Sequence, residues 1–239
     1  MSDLLDDRPA PQRPGLTQVR NENLSHLVYE SIRDAIINRS LPPGARLTET
    51  KLAEELNVSK TPVREALVKL REVGLIEPAG RRAERVIRPS RKTLEDAYDV
   101  RESLEVFASR RAAERATVDQ AGAIREAAET SLAGAREGDL ARFGAADVAF
   151  HHAITSVTEN RRLAELLDNA FALIVALRSR DLPDQETSIE CGQAHVAIAS
   201  AIATHDPAAA ETSMRDHITH VRGFVIAQID DPGEQRTRS

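Results

Sequence analysis

The sequence predicts a mainly α protein of two domains: a small N-terminal unit of three helices and a β-hairpin, then an all-α bundle. Two observations carry this. Apolar residues recur at helical spacing through most of the 239 residues, and strand-like segments are confined to the stretch between Leu75 and Ile87. Charge is also segregated. Residues 16–90 carry 13 basic and 10 acidic groups, whereas residues 91–239 carry 17 and 25, within a net charge of −6. A basic unit ahead of an acidic body points to a polyanion-binding module joined to a separate domain.

Residues 1–20 hold Pro9, Pro11 and Pro14 with little apolar material, and are expected to be a disordered tail. Leu24, Leu27, Val28, Ile32, Ala35 and Ile36 keep helical spacing until Leu41-Pro42-Pro43-Gly44 stops the helix. Thr48 is placed to cap a second helix through about Leu56, and Asn57-Val58 makes a short turn. Ser59 is placed to cap a third helix to about Val73. Pro62 is tolerated in its first turn, where early N–H groups lack intrahelical partners. Gly74 is a left-handed stop. Leu75-Ile76-Glu77 and Arg85-Val86-Ile87 then read as two short strands around Ala79-Gly80-Arg81.

Beyond Pro89 the chain is Ala-rich and helical almost throughout. Breaks fall near Thr117, Gly138-Asp139, Asn160, Arg180 to Asp184 and Asp206-Pro207, giving about six helices. The expected division is a tail at 1–20, a first domain at 21–89, a helical domain at 90–230 and a tail at 231–239. The joint falls at Pro89 to Thr93.

Composition excludes several classes. The single cysteine, Cys191, leaves no intramolecular disulfide framework and no CxxC zinc site. Aromatics are 3% and Trp is absent, which argues against an aromatic binding platform. There is no run of 18 apolar residues, and the acidic, Pro-rich start is unlike a secretory signal, so a cytoplasmic protein with no membrane partner is expected.

A short helix, a tight turn and a second helix make a helix-turn-helix, and the basic hairpin makes it winged. Residues 59–67 read SKTPVREAL. Val63, Ala66, Leu67 and Leu70 form the inward stripe of the third helix. Ser59, Lys60, Thr61 and Arg64 occupy its first turns, the end that meets base edges. Arginine can contact guanine O6 and N7 together, while Ser59, Thr61 and free N–H groups suit phosphate oxygens. Arg81, Arg82 and Arg85 on the wing suit phosphates or the minor groove.

Residues 24–88 resemble the winged helix-turn-helix of the GntR family of bacterial transcription regulators. The stretch LPPGARLTETKLAEELNVSKTPVREALVKLREVGLI at 41–76 and the following wing carry the resemblance. It implies that Lys60, Thr61 and Arg64 read DNA and that the chain near Gly80 approaches the minor groove. Thr48-Glu49-Thr50 departs from the pattern, since relatives often carry Arg or Ser there, so no contact from that helix is carried over. The helical remainder resembles the FCD domain of the FadR-type subfamily, which implies an antiparallel bundle that senses small molecules.

Four polar residues in that domain fall on apolar stripes. Asp147 and His151 lie four apart among Leu140, Phe143, Phe150, Ile154 and Val157. His195 is in register with Ile198 and Ile202, and His217 with Met214, Val221 and Phe224. Buried carboxylates and imidazoles are costly unless paired or metal-bound. Asp147, His151, His195 and His217 make a plausible set for Zn²⁺, Ni²⁺ or Mn²⁺; interhelical hydrogen bonds are the alternative. The resemblance adds weight, because metal-binding FCD domains use DxxFH, here DVAFH at 147–151, with two later histidines matching His195 and His217. His152 points about 100° away from His151, and His220 is placed for a supporting role. Arg101 sits on an inward face and wants an anion, either a carboxylate effector or a structural Glu; Arg178 is a weaker candidate for the same effector.

Together these features predict a homodimeric regulator, expected to be a repressor, on palindromic operator DNA, controlled by a small organic acid. A regulator that responds to the metal itself is the first alternative. A metal-dependent hydrolase is the second, although it leaves residues 59–67 unexplained and no nucleophile elbow, P-loop or dinucleotide fingerprint is present.

Overall fold

A computed structural model describes residues 22–80, 83–88, 90–177 and 184–230. Arg81, Arg82, Arg178, Pro89 and both expected tails lie outside the described residues. The element order is α1 (Glu22–Ile37), β1 (Arg46–Leu47), α2 (Glu49–Glu55), α3 (Lys60–Glu72), β2 (Ile76–Pro78), β3 (Glu84–Val86), α4 (Arg91–Arg115), α5 (Val118–Glu137), α6 (Leu140–Val157), α7 (Arg161–Leu177), α8 (Gln185–Ala203) and α9 (Pro207–Asp230).

The caps explain most boundaries. Thr48 accepts from Lys51 N–H at the start of α2, as its sequence position predicts. Thr117 and Gln120 form a reciprocal capping box on α5. Asp139, Asp184 and Asp206 cap the three helices that follow them. Gly74 ends the turn after α3 at φ +79, a backbone region that disfavours side chains. Ser59 is an exception. It occupies the position before α3, but its hydroxyl makes no capping hydrogen bond.

The hairpin gains a third strand that the sequence reading lacks. The sheet order is β1-β3-β2, antiparallel throughout. Two residues are too few to carry a period, so β1 reads as part of the Pro-Pro-Gly helix stop. Its pairing with β3 is completed by Gly44 N–H to Val86 O at 2.9 Å and Val86 N–H to Ala45 O at 3.0 Å.

Val28, Ile32, Ile36, Leu52, Val63, Leu67, Leu70 and Val86 form the core of the three-helix unit with its wing. A second core joins α4, α5, α6, α8 and α9, with Tyr98, Ile124, Phe150, Ile154, Ile198 and Met214 at its centre. Helix α7 belongs to both. Its Leu163, Leu167, Ile174 and Leu177 face the bundle, while its Ala172 and Ala176 complete the N-terminal core. Among the described residues, no helix is long and apolar enough to cross a membrane.

Candidate functional site

The DNA-facing candidates lie on one exposed surface. Ser59, Lys60, Thr61 and Arg64 are all exposed on the first turns of α3, while Pro62, Val63, Ala66 and Leu67 are buried beneath them. Gly80 at the wing tip has φ +112 and open space around it. Lys60, Arg64 and Gly80 line a shared cavity of about 570 Å³, open to solvent between α2, α3 and the wing.

Three described arginines of this surface, Arg64, Arg71 and Arg85, are held by carboxylates. Arg64 donates from Nε to Glu49 Oε1 at 2.9 Å and from Nη2 to Glu49 Oε2 at 2.7 Å. Arg71 pairs with Glu84, and Arg85 pairs with Glu77 directly across the β2–β3 register at 2.7 Å. The bond and charge of Arg64 hold the Glu49 carboxyl below its usual range. Spacing along a helix could not have found the Glu49–Arg64 pair, because its members sit on different helices.

The second candidate centre is buried. His151 on α6, His195 on α8 and His217 on α9 each offer a ring nitrogen within 4.8 Å of the others. His195 Nε2 and His217 Nε2 are 3.3 Å apart. Asp147 Oδ1 lies 3.5 Å from His195 Nε2 and 3.9 Å from His151 Nε2, and its side chain is 26% exposed. All four predicted residues therefore converge from three helices. His152 instead pairs with Asp168 on the surface, and His220 pairs with Glu190 at 3.0 Å.

Beneath this centre lies a pair that the sequence reading left unnamed. Arg101 and Glu105 on α4 are each 2% exposed, and Arg101 Nε donates to Glu105 Oε1 at 2.5 Å. The anion beside Arg101 in this chain is thus a structural glutamate. Glu105 Oε2 also bonds His151 Nδ1. Arg101 Nη2 lies 3.1 Å from His151 Nε2, and arginine only donates, so Nε2 accepts and the ring proton sits on Nδ1 toward Glu105. Phe171 of α7 covers the Arg101 guanidinium at 4.3 Å, and Ser131 Oγ meets His195 Nδ1 at 2.9 Å. The i, i+4 spacing of Arg101 and Glu105 was the signal available for the pair; Ser131 and Phe171 had none.

Burial sets the protonation of two of the centre's rings. Burial pushes His195 down to about 3 and His217 well below its usual value, so both rings are neutral near pH 7. Burial pushes the Glu105 carboxyl up, but its contacts with His151 and Arg101 outweigh that and hold the group at about 2. His217 Nδ1 is buried with no hydrogen-bond partner. A surface hollow of about 410 Å³ between α8 and α9, lined by Glu190, Asp216, His217 and His220, reaches this ring.

Comparison with known proteins agrees with both halves. Residues 24–86 match the gntR family of bacterial regulatory proteins, and residues 96–220 match the FCD domain. The chain is 32% identical over 199 residues to a probable D-xylose utilization operon transcriptional repressor of Paenarthrobacter nicotinovorans, covering 80% of this chain and 85% of that one. It is 26% identical over 194 residues to the Escherichia coli repressor RspR, covering 81% and 85%. It is 32% identical over 226 residues to the Glc operon transcriptional activator of Escherichia coli, covering 83% and 87%. Among solved structures, Escherichia coli McbR/YncC shares the fold with a TM-score of 0.72 at 22% identity, over 87% of this chain and 99% of that one. A putative GntR regulator from a Rhodococcus species shares it at 0.66 and 23%, over 85% and 97%. The chain belongs to the GntR family of bacterial regulatory proteins, with an FCD domain behind its winged helix-turn-helix, and it is a DNA-binding transcriptional regulator rather than an enzyme.

Proposed function

We propose that the FCD domain senses a small oxygen-donor carboxylate at a divalent metal, and that its occupancy sets the operator affinity of a homodimer. The observation that carries this is the convergence of His151, His195, His217 and Asp147. Donor atoms that share one ion through bonds of about 2.1 Å stand about 3 to 4 Å apart. Three of the donor separations, 3.3, 3.5 and 3.9 Å, fall in that range, and the three ring nitrogens lie within 4.8 Å of one another. Three imidazoles and one carboxylate suit Zn²⁺, Ni²⁺ or Mn²⁺. An ion that takes more than four ligands would supply a further position for a hydroxy- or dicarboxylate.

The chain's own groups complete the reading. Glu105 fixes the His151 tautomer, so that Nε2 presents a lone pair to the centre. That one lone pair cannot serve both Arg101 and a cation. Arg101 Nη2 is therefore released when His151 acts as a ligand, and its N–H groups face the same space for a carboxylate. The hollow beside His217 is a route of entry. Helix α7 is the connecting element: Phe171 lies on Arg101, and Ala172 and Ala176 sit in the DNA-binding core. Occupancy changes DNA affinity only as far as the ligand prefers one placement of that helix.

On DNA, Arg64 would read a guanine in the major groove, with Lys60 and Thr61 beside it. Ser59 is offered to phosphate, since its hydroxyl makes no capping bond. A homodimer would match a palindromic operator. Repression is the expected sign, supported by the two relatives named as repressors.

The test is metal content per chain on protein purified without chelator, beside the Asp147→Ala, His195→Ala double variant. About one ion per chain, lost in the variant, is expected. No metal in a folded wild type would make the centre a hydrogen-bonded core and overturn the reading. Operator binding is then followed with chelator, with metal, and with metal plus small hydroxycarboxylates. A response to metal alone would make the ion the signal.

A further inference from the structure

The bidentate pair between α2 and α3 has a consequence for how this surface reads bases. We propose that Glu49 is a positioning residue for Arg64, trading non-specific DNA affinity for base discrimination. The proposal rests on Arg64 as the base-reading residue.

The geometry of the guanidinium is the reason. Its five N–H bonds form two forks, one on the Nε/Nη2 side and one on the Nη1/Nη2 end. Glu49 occupies the first, through Nε at 2.9 Å and Nη2 at 2.7 Å. The end fork has no other partner among the described residues, and its paired N–H groups can meet guanine O6 and N7 together. Glu49 therefore orients Arg64 without consuming the edge that reads. An arginine without this clamp has a freely rotating side chain that can satisfy itself on any phosphate.

Glu49 is itself firmly placed. It opens a helix capped by Thr48, whose Leu52 and Ala53 are buried in the same core as Val63 and Leu67 of α3. Its side chain is 34% exposed and that of Arg64 is 64% exposed, and both line the open cavity beside the wing. A carboxylate there faces the phosphates of an approaching duplex and lowers affinity for DNA of any sequence. That loss is tolerable only where the paired arginine gains in return, which is the sense of finding the acid at this position.

The experiment uses the full chain. A duplex is selected from a random library with the wild-type protein, and each of its G·C pairs is converted in turn to A·T. Affinities for these duplexes and for a scrambled one are measured over a salt series for the wild type, Glu49→Ala, Glu49→Gln, Arg64→Ala and Glu55→Ala. Glu55 is an exposed carboxylate on the same helix that does not touch Arg64, so it controls for charge alone. Glu49→Ala is expected to bind scrambled DNA several-fold more tightly. Its penalty for losing one particular G·C pair should shrink on the order of tenfold, the scale of one bidentate contact. Glu55→Ala should keep that penalty. Glu49→Gln, which retains one acceptor oxygen but no charge, should fall between wild type and Glu49→Ala. If Arg64→Ala loses the penalty while Glu49→Ala keeps it, Glu49 does not position Arg64 and this proposal fails alone. An unchanged penalty in Arg64→Ala removes the base-reading role and this proposal with it. Thermal unfolding of each variant confirms that the comparison is made on folded protein.

Discussion

Two arginine–glutamate pairs occupy opposite environments in this molecule. Arg64 and Glu49 meet on an open surface, with side chains 64% and 34% exposed. Arg101 and Glu105 meet in the centre of the bundle, each 2% exposed. The first pair is a bidentate fork between two helices; the second is an i, i+4 contact on one helix, completed by His151. Solvent separates their roles. At the surface, water competes for every N–H and oxygen, so the pair adds little to stability and its work is to orient Arg64. In the bundle no water replaces a lost partner, so the pair behaves as one unit with the histidine it orients. The exposed pair suits recognition, and the buried one suits holding a site in shape.

The largest expected effect breaks the buried pair. Glu105→Ala leaves the Arg101 charge without its carboxylate and should lower stability by about 3–5 kcal/mol. Denaturant unfolding of chelator-treated protein measures it. A loss no greater than that of an exposed pair would end the distinction.

Acid should act on the bundle before it acts on the DNA-facing surface. Folded His195 takes its proton only at about 3, against an ordinary 6.5. Between those values the unfolded chain holds the extra proton, so stability present above pH 6.5 is lost as pH falls toward 3. Glu105 works in the same direction between 4.5 and about 2. Metal-free protein should lose on the order of 5 kcal/mol over the upper window. His195→Gln should flatten that slope, and a pH-independent melting temperature in the wild type would contradict it.

Arg64→Ala sharpens the other side. It should leave stability nearly unchanged, while lowering discrimination at one G·C pair on the order of tenfold. Calorimetry and binding titrations on the same sample separate the two. The smallest effect is at Ser59. A capping serine replaced by Ala costs about 1 kcal/mol, but this hydroxyl makes no capping bond. Ser59→Ala should therefore leave stability unchanged within error and weaken operator binding slightly. Thr48→Ala, which removes a working cap, should cost the full amount.

Much of the bundle is legible because its signals are local. The breaks at Thr117, Gly138, Asn160, Asp184 and Asp206 are caps or stops that a few adjacent residues specify. The inward register of Asp147, His151, His195 and His217 follows from each helix's own apolar stripe, so their convergence could be anticipated before their distances were known. Strand β1 was hidden because two residues show no alternation, and its pairing energy comes from β3, some 40 residues on. Glu105 was visible as a spacing from Arg101, yet nothing local says whether that arginine faces a glutamate or a ligand.

The sequence by itself determined the elements, their order and the faces they bury, because backbone preference and apolar period act within a few residues along the chain. Only the tertiary structure decided which partners those faces meet. It brought Glu49 to Arg64 across a turn and Glu105 to His151 across two helices, and it divided α7 between the two cores. Such contacts depend on how rigid elements are placed against one another. That placement is set by the packing of many side chains together, and no single segment encodes it.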